Sequence, residues 1–220
     1  MTLLDSIKSH GYWEVVIRPT RFRERRVQNI ADLEKIALAS QVRMRGWPFP
    51  CDERGRLDRF EDYVASKVKF LSHRESWRFY QSGLFVWFKA NRWDVLAENE
   101  DDSNDPGRKV GQRLSVGDTL YLLCEFFEFA SRLALSGAGD QRMHMDVSCH
   151  GLAGRFLEIE SWHDTRGRHC AAQSWTLSRG YSQTELLADG RKLAFEAASD
   201  LFQRFNWDVS IDVLKSIHSR

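Results

Sequence analysis

Hydrophobic residues recur along this chain in two rhythms, and the rhythms divide it into elements. The most regular run spans residues 115–135. Val116, Leu120, Leu123, Phe127, Ala130 and Ala134 fall at helical spacing, and Leu122, Phe126, Phe129 and Leu133 form a second stripe beside them. A helix apolar over so much of its surface predicts cover on more than one side. Ser115, with Asp118 three residues on, predicts an N-cap. Gly137 and Gly139 end the run, and Glu128 pairs with Arg132 on the strip left exposed. A second long helix is predicted after Ser182, over 183–205, burying Leu187, Ala194, Ala197, Ala198, Leu201, Phe202 and Phe205. A last short helix runs through Ile217, and Asn29 caps another over 31–39.

Period-two alternation predicts the strands. Residues 12–18 set Trp13, Val15 and Ile17 on one face, and Pro19 closes them. Residues 42–46 read as a short strand, and 51–61 as a charged loop. Residues 63–93 are mainly strand, with a hairpin turn at Gln81-Ser82-Gly83. The run 84–88, apolar on both faces, is expected in the middle of the sheet. Residues 142–150 place Met143, Met145, Val147 and Cys149 on one face and His144, Asp146, Ser148 and His150 on the other. Residues 155–162 are expected to run back beside that strand, followed by a polar turn over 163–169 and a third strand over 172–179. Strands gathered into runs predict an α+β fold: mostly antiparallel sheet packed on two long helices, one central and buried (115–135) and one C-terminal (183–205). A single domain over 1–220 is expected. The alternative is two subdomains, 1–93 and 107–220, joined by the acidic stretch 94–106, which reads as a solvated loop.

Composition narrows the function classes more than it names one. Eight Trp and 14 Phe among 220 residues give ample core material and argue against disorder. A net charge of +1 gives no overall field that demands nucleic acid or membrane. The first residues are too short and too charged for a signal peptide, and no apolar run approaches the roughly 18 residues of a membrane span. Cys51, Cys124, Cys149 and Cys170 lie far apart and form no CxxC pair, so reduced thiols and a cytoplasmic protein are expected.

Three groups of residues are candidates for chemistry. His144, Asp146 and His150 share a strand face with Ser148; with His163, Asp164, His169 and Cys170 they offer the residue types of a hydrolytic or metal site. Their spacing matches no ligand motif, and a water-facing sheet surface explains them as well. Arg18, Arg21, Arg23, Arg25, Arg26, Arg43 and Arg45 lie in a segment of local charge +5. Together with Trp47 they suit phosphate contact and base stacking, or an acidic protein surface. Arg74, Glu75, Trp77, Arg78 and Tyr80 mix guanidinium and aromatic groups in one strand. The chain lacks GxxxxGK[ST], GxGxxG after a strand, GxSxG and HExxH, which removes the usual signatures of phosphate-loop, Rossmann, α/β-hydrolase and zincin chemistry.

Four stretches carry a resemblance: residues 45–50 (RGWPFP), 75–83 (ESWRFYQSG), 118–130 with its EFFEFA, and 201–207 (LFQRFNW). They look like pieces of an uncharacterised bacterial domain, similar to the segment that accompanies Schlafen/AlbA-type DNA- or ATP-binding modules. The resemblance implies an accessory or sensing component of a bacterial regulatory or phage-defence assembly, and it carries over no active-site residue. The expected function is therefore non-enzymatic binding of a protein partner, with no metal or cofactor. Nucleic-acid binding through residues 18–45 is one alternative. A hydrolase or metal protein centred on His144, Asp146 and His150 is the other.

Overall fold

The computed structural model describes residues 1–52, 55–99, 111–159 and 168–218. The protein is α+β. Strand β1 (Tyr12–Pro19) lies inside a seven-stranded antiparallel sheet and pairs on one side with β5 (Phe85–Ala90) and on the other with β7 (Arg142–His150). Beyond β5 come β4 (His73–Tyr80), β3 (Tyr63–Phe70) and the two-residue edge strand β2 (Asp58–Arg59). Beyond β7 comes β9 (Ser174–Ser182). Strands from either side of residues 94–106 thus share one sheet. The double-sided apolar run of β5 sits between two strands, as its pattern predicts.

The sheet's inner face carries Trp13, Val15 and Ile17 from β1, Trp77 and Phe79 from β4, Phe85 and Trp87 from β5, and Met143, Met145 and Val147 from β7, all buried. Helix α4 (Val116–Leu135) lies against this face, and α5 (Gln183–Gln203) and α6 (Ile211–His218) pack on α4 from outside. That sandwich explains why α4 is apolar nearly all round. Ser115 caps it by accepting a hydrogen bond from the Asp118 N–H, and Arg132 Nε reaches Glu128 at 2.8 Å on the remaining strip. Ser182 and Glu185 form a full capping box at the start of α5. Short helices α1 (Leu3–Lys8) and α2 (Ile30–Ala39, capped by Asn29) complete the N-terminal part.

Four local expectations are corrected. Residues 42–46 form no strand: Val42 makes one isolated bridge to Phe49, and Gly46, at φ +86°, turns the chain between them. The stretch expected as an acidic loop begins with helix α3 (Arg92–Asn99), and only its remainder lies outside the described residues. The described part of the stretch expected over 155–162 does not return alongside β7: β8 (Phe156–Glu158) pairs in parallel with β6 (Arg113–Ser115), and 160–162 lie outside the described residues. In α5, Leu187 faces solvent and Leu186 is the buried residue.

One buried ion pair fastens these unexpected pieces together. Asp94, on the first turn of α3, accepts from Arg155 Nη1 at 2.8 Å and Nη2 at 2.5 Å, and from the Gly11 and Gly111 N–H groups at 2.9 Å each. Arg155 also donates to the Gly151 and Arg113 carbonyls. With every lone pair of the carboxylate engaged, the pair meets the condition for a buried charge to persist. An acid that composition assigns to a solvated loop is a joint of the fold.

Candidate functional site

At one end of the sheet the inner face is not covered by α4 alone. The β3–β4 hairpin tip, the loop carrying Arg45 and Trp47, the start of α3 and the first turns of α4 enclose a cavity of about 350 Å³. Its walls are largely apolar and aromatic, including Trp13, Trp47, Trp93, Leu114 and Leu122. This is the size and character of a small-molecule site.

Charged side chains stand where the inward pattern of two strands continues past its aromatic residues. On β5 the inward series is Phe85, Trp87, Lys89; on β4 it is Phe79, Trp77, Glu75. Glu75 and Lys89 are directly paired across the two strands. Both are buried, at 2% and 7% exposure. Glu75 is held twice: the Cys51 N–H donates to Oε1 at 2.6 Å, and His73 Nε2 lies 2.7 Å from Oε2. Burial opposes its charge, but the hydrogen bond and charge of His73, aided by Lys89, outweigh burial and hold the carboxyl below its ordinary value.

A second acid comes from α4. Glu125 is fully buried and meets Arg45 bidentately, Oε1 to Nε at 3.1 Å and Oε2 to Nη2 at 2.5 Å. Asp118, one side of the cavity rim, lies 3.7 Å from Arg45 Nη1. Burial raises the Glu125 pKa although Arg45 and Lys89 pull it down. The Arg45 guanidinium also lies over the Trp47 ring, 5.4 Å from its centroid.

Lys89 differs from these neighbours. It lines the cavity, and among the described residues no carboxylate lies within 4 Å of its ammonium and no hydrogen bond engages it. Burial drives its pKa below the ordinary 10.5; Glu75 opposes this, Arg45 adds to it, and Glu125 and Asp118 oppose it. Cys51, also on the wall, is pushed up to about 12 by burial and by Glu75 and Asp52, so its thiol stays protonated near neutral pH.

The residues expected from the sequence fare differently. His144, Asp146 and His150 lie on the outer face of β7, away from the cavity. His144 Nε2 contacts both Asp146 and Ser178 at 3.2 Å, and the Ser178 hydroxyl donates to Asp146 at 2.5 Å. Using one ring nitrogen for both partners leaves no relay from acid through imidazole to hydroxyl. His150 stacks on Tyr12 and faces Glu14 at 3.4 Å. The two histidines stand six positions apart along the strand, about 20 Å, too far to share a ligand. His163 and Asp164 lie outside the described residues. Among the described residues no group of three or more His, Cys, Asp or Glu is arranged to hold a metal, and no helix is long and apolar enough to cross a membrane.

The basic segment is divided. Arg26 is buried against Asp140 at 2.8 Å and the Gly139 carbonyl, and Arg45 belongs to the cavity with Trp47. Arg18, Arg21, Arg23, Arg25 and Arg43 remain exposed. Of the β4 group, Glu75 reaches the site, whereas Arg74 pairs with Glu98 and Arg78 lies over Tyr63.

Sequence reasoning missed His73, Lys89, Asp118 and Glu125 as site residues. A signal was present for two of them: Lys89 extends a buried period-two series, and Glu125 interrupts the apolar surface of α4. Arg45, Trp47, Glu75, Asp118 and Glu125, from three separate resembling stretches, meet at this one place.

No family model, curated protein or solved structure matches this chain. The fold and the cavity define its class by themselves: an antiparallel α+β protein with an aromatic-walled pocket. The feature that singles it out within that class is Lys89, a buried lysine on the pocket wall whose ammonium, among the described residues, has no carboxylate within 4 Å.

Proposed function

We propose that the protein binds a small organic molecule in this cavity, as a ligand-sensing component rather than a hydrolase or metal enzyme. One observation carries the reading. Lys89, 7% exposed, lines a cavity of about 350 Å³ together with Trp13, Trp47 and Trp93, and within the described residues its ammonium meets neither a carboxylate within 4 Å nor a hydrogen-bond acceptor. A polar group desolvated in this way is costly unless something satisfies it. A ligand with a flat apolar body and a hydrogen-bond acceptor would do so, its body between Trp13 and Trp47 and its acceptor on Lys89. Arg45, Glu125, Glu75 and His73 are already engaged with one another, so they shape and orient the floor.

A thermal-shift screen of small aromatic acids, amides and aldehydes tests this. Compounds that bind only the folded state raise the melting temperature; at a hundredfold excess over the dissociation constant the gain is about 2.7 kcal/mol. Leu122→Trp fills the cavity without altering a charged group and should abolish every such shift. A screen with no stabilising compound, or shifts that persist in Leu122→Trp, contradicts the reading.

A further inference from the structure

We propose that Lys89 captures carbonyl compounds covalently, forming an imine with an aldehyde or ketone ligand seated in the cavity. The inference rests on the binding role proposed above and deepens it, by naming both the ligand class and the bond.

The geometry favours this at Lys89 over the exposed Lys35 and Lys192. Lys35 and Lys192 are exposed and each lies near a carboxylate, Asp32 at 3.0 Å and Glu196 at 3.9 Å. An exposed ammonium is almost wholly protonated at neutral pH and has no free electron pair to offer. Lys89 is 7% exposed, and its surface opens into a cavity that holds an organic ligand against it. The groups that face it are Glu75 on β4, Arg45 on the loop, and Glu125 and Asp118 on α4. Two of the three carboxylates are committed elsewhere, Glu75 to the Cys51 N–H and His73, Glu125 to Arg45. Burial is the dominant influence on the amine, and it favours the neutral, nucleophilic form. The aromatic walls hold the carbonyl body near the nitrogen, which turns a bimolecular encounter into a positioned one.

The chemistry balances without a cofactor. The neutral Lys89 nitrogen attacks the carbonyl carbon, an N–C bond forms, and the carbonyl π pair moves to oxygen. That oxygen takes one proton and the nitrogen sheds one, giving a carbinolamine. Protonation of its hydroxyl then breaks the C–O bond, one water leaves, and the nitrogen pair closes the C=N bond. No oxidant or reductant takes part. His73 lines the cavity and lies 2.7 Å from the Glu75 carboxylate, which places an acid–base pair on the same wall to move these protons.

The test uses the full chain, indole-3-carboxaldehyde and cyanoborohydride at pH 7, which reduces an imine to a stable secondary amine. Peptide mass spectrometry locates the label, and saturation-transfer NMR without reductant measures binding of the same aldehyde. The expected result is labelling of Lys89 at least about tenfold faster than of Lys35 or Lys192, a modest part of what positioning the aldehyde against the amine can supply. Lys89→Arg, which keeps the charge and the length, should lose that label while the surface lysines react as before. An aldehyde that binds by NMR yet labels Lys89 no faster than the surface lysines overturns the imine and leaves the binding role standing. An aldehyde that neither binds nor labels overturns both.

Discussion

At the scale of single residues, the cavity is defined by which charges are satisfied and which are not. Glu125 and Arg45 answer each other with two hydrogen bonds, and Glu75 has the Cys51 N–H and His73. Lys89 is the exception, and its cost is measurable. Its folded pKa lies below the ordinary 10.5 because burial disfavours the ammonium. Below the folded pKa both states are protonated and the full penalty is present. Between the folded pKa and 10.5 the unfolded chain alone holds the proton, so stability rises with pH across that window; above it the penalty is gone. Lys89→Met, of similar volume, should therefore stabilise the free protein by about 1 kcal/mol at neutral pH. The gain should shrink to nothing as the pH passes 10.5. Urea unfolding across pH 6 to 10.5, roughly the range over which a depressed lysine titrates, checks the slope. A Met variant less stable than the parent at pH 7, or a gain that does not change with pH, speaks against a buried amine without a partner.

At the scale of elements, the site depends on register. Glu75 faces Lys89 because β4 and β5 are joined by the tight turn at Gln81-Ser82-Gly83, and a one-residue slip would send both charges to the outer face. Gly83 holds that turn at φ +86°, and a Cβ there would meet the Ala138 carbonyl oxygen at 2.2 Å. Gly83→Ala should cost about 2 kcal/mol, from the left-handed backbone alone before the clash is added. Chemical denaturation reads this directly, and a loss below about 0.5 kcal/mol, the scatter of ordinary surface changes, contradicts the role given to the turn. The hairpin itself was legible, because Gly83 between two apolar runs is a local signal. So were α4, α5 and their caps, since a stripe and a capping serine are written within one element. The pairing of β6 with β8 was not, because a three-residue parallel contact between distant segments leaves no periodic trace. Helix α3 was hidden for a different reason. Its acids suggest a solvated loop, and nothing local shows that Asp94 meets Arg155, or that Glu98 meets Arg74 and His10.

At the scale of the whole molecule, the site is a product of convergence. It draws Arg45 and Trp47 from a loop, His73 and Glu75 from β4, Lys89 from β5, and Asp118 and Glu125 from α4. Nearness along the chain groups His144, Asp146 and His150, which one strand displays at period two on its outer face, and the arginines of 18–45, of which Arg45 alone lines the cavity. The charged residues that gather at the cavity are spread over 80 positions, the separation of Arg45 from Glu125. Only the misplaced charges inside apolar patterns, Lys89 and Glu125, marked them in advance. The eight tryptophans report on the site directly, because three of them line the cavity, while Trp207 packs elsewhere, against Phe202. The most direct measurement is the indole region of a proton–nitrogen correlation spectrum, recorded as a stabilising aromatic compound is added. The cavity account predicts that the signals of Trp13, Trp47 and Trp93 move together and saturate while that of Trp207 stays in place. A shift at Trp207 as large as those at the cavity, or no movement of the cavity tryptophans, would contradict it.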